Sequence, residues 1–168
     1  MVQHINDKFN EGMAAFAGQE YAKCIENLTE VIREEKSHTL ALVSRGAAFM
    51  RTGEMNMAIA DFKRALEIDP EYARAYHLRG LAWEAQNKDV EAMADFSKAI
   101  ELRPDYAAAY YSRATLYTKT GQMDLAAEDS RMATHLTEHN IQTFANENNI
   151  WRSGHLPVED MMETELNR

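Results

Sequence analysis

The sequence has one cysteine, Cys24, so it can form neither an internal disulfide nor a cysteine cage for a metal. That residue reads as a small buried hydrophobe. Three prolines and seven glycines in 168 residues leave few tight turns. Beside abundant Ala, Glu, Leu, Met and Arg, the shortage favours helix over sheet. No apolar run nears the roughly 18 residues of a membrane span. Residues Met1 to Lys8 carry neither the basic-then-apolar pattern of a leader nor a lipidation signal, so the expectation is an uncleaved cytoplasmic protein. Clustered basic residues are missing too: 18 Lys and Arg against 27 Asp and Glu give a formal charge of −9. Such a field repels nucleic acids and anionic membranes. What remains, 45% apolar and 27% charged, is the balance of a folded globular chain.

The chain also repeats itself. Shifted by 34 residues, Gly12, Gly46 and Gly80 fall in one column with Ala114, and Ala15, Phe49, Trp83 and Tyr117 fall in another. Further columns are Cys24, Ala58, Ala92 and Ala126; Leu28, Phe62, Phe96 and Ser130; and Val31, Ala65, Ala99 and Ala133. A fixed period between roughly 20 and 50 residues marks a repeat array. Tyr76, Gly80 and Trp83 recur at i, i+4, i+7, as do Ala92, Phe96 and Ala99, so each unit is a pair of amphipathic helices. Gly53, Asn87 and Gly121 fall between the two halves, where a residue tolerant of positive φ ends the first helix. Asp69-Pro70 and Arg103-Pro104 stop the second, because proline drives its predecessor out of the α region. The small residues of the glycine column let the paired helices approach closely, and the aromatic column fills the space beside them.

Tyr at the fourth position, a small residue at the eighth, an aromatic at the eleventh, Ala at the twentieth, Phe at the twenty-fourth, Ala at the twenty-seventh and Pro at the thirty-second describe the unit that holds Tyr76 and Pro104. This pattern, clearest over 41–70 and 75–104, resembles the tetratricopeptide repeat family, and the resemblance extends over residues 5–140. It implies an all-α fold: an α-solenoid of helix-turn-helix units, 5–38, 39–72, 73–106 and 107–140, wound as a right-handed superhelix. The first unit departs from the pattern at Lys8, Ala15 and Lys36, and the fourth at Ser130 and Glu138. Atypical end units are expected where one side faces solvent. Phe144 and Trp151 continue the frame, so a C-terminal capping helix is expected over 141–154. Beyond it, Val158, Met162 and Leu166 among Glu159, Asp160, Glu163 and Glu165 read as a short acidic amphipathic helix or a frayed tail over 155–168.

Three constellations invite a chemical reading and have a plainer one. His135, Glu138 and His139 fit a metalloprotease pentapeptide, yet they run off the end of a second helix with no third ligand, so no metal is expected. Asn27-Leu28-Thr29 is a glycosylation sequon in composition only, with Leu28 on the core column. Arg45, Arg79 and Arg113 form a column sixteen residues ahead of Asp61, Asp95 and Asp129. An Arg–Asp contact between the paired helices is favoured over a column recruiting an anionic ligand, because Glu11 and Asn27 replace both partners together in the first unit. No nucleophile elbow, phosphate loop or paired-carboxylate site can be assembled, so neither an enzyme nor a cofactor is expected.

In the family the first helices line a concave groove. The resemblance therefore nominates Phe9, Met13, Phe16, Leu40, Val43, Ala47, Met50, Arg74, His77, Leu78, Leu81, Tyr111 and Thr115 as groove residues. Relatives that grip a terminal carboxylate do so with Lys, Asn, Asn, Lys and Arg at five positions, which here read Phe9, Met13, Ser44, Arg74 and Leu78. Only Arg74 keeps its charge, so that clamp is not expected. An apolar groove instead points to a non-catalytic module or scaffold that holds an apolar or amphipathic segment of a protein partner. The alternative is a self-assembling scaffold, a homo-oligomer formed through the groove or an end unit.

Overall fold

The computed structural model describes residues 2–147, and these form eight helices: α1 (Val2–Ala17), α2 (Tyr21–Glu34), α3 (Thr39–Arg51), α4 (Met55–Ile68), α5 (Ala73–Ala85), α6 (Asp89–Leu102), α7 (Ala107–Lys119) and α8 (Met123–Glu147). No strand occurs among the described residues, and the architecture is the expected all-α solenoid. Each helix hides one stripe. In α4 that stripe is Ala58, Ile59, Asp61, Phe62, Ala65 and Leu66, spaced by the turns of the helix. Neighbours in sequence are neighbours in space: α1 packs on α2, α3 on α4, α5 on α6 and α7 on α8, and every pair packs on the next. The first helices also meet one another, α1 with α3 and α3 with α5, so they form the inner line of the stack.

Close approach within a pair is set by the glycine column. A Cβ on Gly46 would stand 2.6 Å from Phe62 Cε1, and one on Gly80 would stand 2.5 Å from Phe96 Cε1. Only hydrogen fits there. Ala114 is accommodated because Ser130 takes the place of the phenylalanine. The turn after each first helix carries a positive φ at Gln19, Gly53, Asn87 and Gly121. Three of these are the residues picked from sequence. Gln19 completes the column without the glycine or asparagine that would have marked it.

Second helices end at Glu35, Asp69 and Arg103, whose φ values of −126°, −130° and −138° leave the helical range. Proline follows only the last two. After Glu35 the next helix supplies the stop: it docks on α2, and His38 Nδ1 accepts a hydrogen bond of 3.1 Å from the Ala41 N–H to cap α3. The fourth second helix has neither device, and α8 runs through position 140 for 25 residues. The turn expected before a capping helix is therefore absent among the described residues. Positions 148–154 of that expected helix, and the 155–168 tail, lie outside them. The physical reason is on the outer face of α8. Where α4 buries Ile59, Phe62 and Leu66, α8 presents Ala127, Ser130 and Thr134, all exposed. Ser130 and Thr134 return their hydroxyls to the carbonyls of Ala126 and Ser130 at 2.7 and 3.0 Å. The positions that α4 uses to dock the next pair are thus small or polar in α8, while Met123, Leu125 and Met132 are exposed elsewhere on the helix.

The Arg and Asp columns meet as the plainer reading required. Arg45, Arg79 and Arg113 each donate from Nε and Nη2 to both carboxylate oxygens of Asp61, Asp95 and Asp129, at 2.7 to 2.9 Å. These planar, two-point bonds tie each first helix to its partner and satisfy a largely buried charge. Arg45 and Arg113 also reach back to Thr29 and Ser97 of the preceding pair, at 2.9 and 3.3 Å. Lys63 occupies the equivalent place before Arg79 and turns onto the Trp83 ring instead, 5.4 Å from its centroid. In the first pair Asn27 is buried and its Nδ2 has no partner.

Candidate functional site

The nominated groove residues divide into three groups. Leu40, Tyr111 and Thr115 are exposed, Tyr111 by 68%. Phe9, Met13, Phe16, Ala47, Met50, Arg74, Leu78 and Leu81 are half-buried. Val43 and His77 are buried, at 2% and 5%, and offer almost no surface to a ligand. Their placement follows from the helical period: a residue on the edge of the inner face is covered when the neighbouring first helix lies close. The half-buried aromatics are also held in place. The Phe9 ring stacks on His38 at 5.0 Å and Phe16 meets Tyr21 edge-on at 5.6 Å. Phe9, Phe16, Met50 and Leu78 all rest on the main core cluster.

His77 is spent internally. Its Nδ1 pairs with the Tyr106 hydroxyl at 3.1 Å and its Nε2 with Ser112 Oγ at 2.9 Å, so the ring joins α5 to α7. Whichever tautomer is present, one ring nitrogen donates and the other accepts. Burial, then the nearby Arg103 and Arg74 guanidiniums, lower its pKa to about 4 and keep the ring neutral. A serine bonded to a histidine has the outline of a nucleophile and its base. Here Ser112 is buried, the base is a weak one, and no carboxylate orients the second nitrogen. The arrangement is a polar clasp. Tyr106 and Ser112 escaped the sequence reading because their partner lies 29 and 35 residues away, one period earlier.

Elsewhere the candidate chemistry stays dispersed. His135 and His139 lie one turn apart on the exposed side of α8, which passes straight through the pentapeptide instead of ending in it. No group of three potential metal ligands occurs among the described residues. Cys24 is fully buried on α2, and burial pushes its thiol up to about 11, which makes it a poor nucleophile. No described helix is long and apolar enough to cross a membrane. Met57, Val90 and Met123 near the starts of second helices are exposed apolar residues outside the groove, which the repeat columns did not mark.

A family model described as TPR repeat matches residues 46–87 and 85–121. The heat-shock protein cognate co-chaperone sgt12 of Aspergillus fumigatus is 34% identical over 67 residues, 40% of this chain. The match spans 20% of that protein, so the chain corresponds to about one fifth of the length of the curated relatives it matches. Among solved structures, MamA superposes with a TM-score of 0.76 at 22% identity, covering 82% of this chain and 81% of its own. The first TPR of Spaghetti (RPAP3), bound to the HSP90 peptide SRMEEVD, gives 0.69 at 23% identity and covers 71% of this chain and 94% of its own. At those identities the likeness establishes the fold. With the column pattern, the eight paired helices and the family match in agreement, residues 46–121 are tetratricopeptide repeats, and the described residues share the all-α solenoid fold of the solved repeat structures.

Proposed function

We propose that this chain is a non-catalytic module that holds an apolar or amphipathic segment of a partner protein along the inner face of its first helices. One observation supports the reading: Leu40, Leu78, Leu81, Met13, Met50 and Tyr111, all on first helices, keep accessible apolar surface. Side chains of this kind are expensive to leave in water and gain on meeting a ligand. The RPAP3 domain binds an acidic peptide, SRMEEVD. A carboxylate clamp of that type finds only Arg74 here, since Phe9, Met13, Ser44 and Leu78 occupy the remaining places. The ligand is accordingly read as apolar first and charged second.

A partner segment identified by pull-down with the intact chain supplies the test. Leu81→Glu puts an unpaired charge against the ligand and should weaken binding by at least ~2 kcal/mol, or roughly thirtyfold. Arg74→Ala removes one solvated cation and should cost less than ~1 kcal/mol. Both variants must first melt like the parent. A larger loss for Arg74→Ala, with steep salt dependence, overturns the apolar reading.

A further inference from the structure

The last helix pair joins the others differently from the rest. From α1 to α5 the buried apolar residues form one continuous cluster. Across α6 and α7 it divides into two: Ala73, Ala99, Ile100, Tyr106 and Ala109 on one side, and Ala92, Phe96 and Leu116 on the other. The contact of α6 with α7 is also smaller than that of α2 with α3 or α4 with α5. His77 stands between the two small clusters, 5.0 Å from the Tyr106 ring and 5.8 Å from the Phe96 ring. It is bonded to Tyr106 and Ser112, which both belong to the last pair's side.

We propose that the junction between α5–α6 and α7–α8 is an acid-sensitive hinge, closed by the neutral His77 clasp and loosened when that ring takes a proton. The groups that face the ring are Arg74 from its own helix, Arg103 from the end of α6, Tyr106 from the cap of α7 and Ser112 from α7; α6 sets the Phe96 ring beside it, and the neighbouring Asp95 carboxylate is taken up by Arg79. Arg103 stacks on Tyr106 at 3.8 Å and its nearest acid, Asp105, lies 3.7 Å off. An imidazolium here would be buried between two guanidiniums with no carboxylate of its own, whereas an opened junction would hydrate it. Because the closed form disfavours the proton, closure is fully supported above the ordinary histidine value of 6.5. Its support falls as the pH drops from there toward about 4, and levels off below. Opening would swing Tyr111 and Thr115 away from the inner face, a consequence for ligands that rests on the peptide reading above. The hinge itself needs no ligand.

Hydrogen exchange of the intact chain, read helix by helix and corrected for intrinsic rates, tests it without any partner. Between pH 6.5 and 4.5 the opening of α7 and the first half of α8 should rise by up to about tenfold per pH unit, with no parallel rise in α1 to α4. His77→Gln should flatten that response while the carboxylates titrate as before. Arg103→Gln, which leaves the clasp in place, should give a smaller acid response because one repelling charge is gone. The proposal is overturned if α7–α8 opens no more at acid pH than at neutral pH. It is equally overturned if every helix opens together and His77→Gln behaves like the parent. Failure here leaves the Leu81→Glu titration at neutral pH unaffected, and the reverse is also true.

Discussion

At the scale of the residue, what decides this fold is the absence of a side chain. Alanine is the better helix former by about 1 kcal/mol, so Gly80→Ala should help if local propensity ruled. Instead the new methyl would sit 2.5 Å from Phe96 Cε1, inside the wall of a buried ring. Overpacking of this kind costs ~1–3 kcal/mol, and the net expectation is a lower melting temperature in calorimetry. A variant that melted higher than the parent would mean that the two helices are further apart than described. The same comparison separates what could be read from the sequence from what could not. The Gly80 and Phe96 columns were visible because both repeat at one interval. The clasp of His77 was not, because it occurs once, between residues that the repeat does not align.

At the scale of the element, the turns and stops carry the information. Gly53 and Gly121 have nothing within 4 Å of a built Cβ, so it is their φ and not a lack of room that calls for glycine. Gln19 takes a φ of 59° without that freedom. Gln19→Gly should therefore stabilise the chain by about 0.5–1 kcal/mol, visible as a higher denaturant midpoint at unchanged slope. A fall in the midpoint would show that the glutamine side chain contributes more than its backbone costs. Helix existence and pairing were legible because apolar positions recur with the helical period. The run of α8 through position 140 was not, since a missing proline states that a stop is absent but not how far the helix continues. About 37 Å of helix results, against about 21 Å for a 14-residue neighbour, at a rise of about 1.5 Å per residue. Burial of Val43 was equally illegible: the family pattern gives a face, whereas the distance between successive first helices decides which of its residues water can reach.

At the scale of the whole molecule, the stack is tied by three kinds of bond that repeat. Apolar faces join successive pairs, Arg–Asp forks join the helices within them, and polar contacts join their rims, Arg51 to Tyr21, Gln86 to Asn56 and Lys119 to Asp89. Each contact is local in sequence, so loss of one pair should weaken its neighbours without dissolving the rest. The outer face of α8 carries Ala127, Ser130 and Thr134 where α4 has large apolar residues. It has a further consequence for how such an array can be lengthened. A duplicated unit placed inside the stack finds a matching apolar face on both sides, whereas one added after α8 meets hydroxyls already bonded to their own helix. A copy of residues 39–72 inserted between 72 and 73 should yield a longer, cooperatively melting helical protein, at least as stable as the parent by circular dichroism. The same copy appended beyond α8 should melt separately or remain unfolded, and equal behaviour of the two would refute the asymmetry. Lengthening of this array is thus expected to succeed within the stack and to fail on the face that α8 presents.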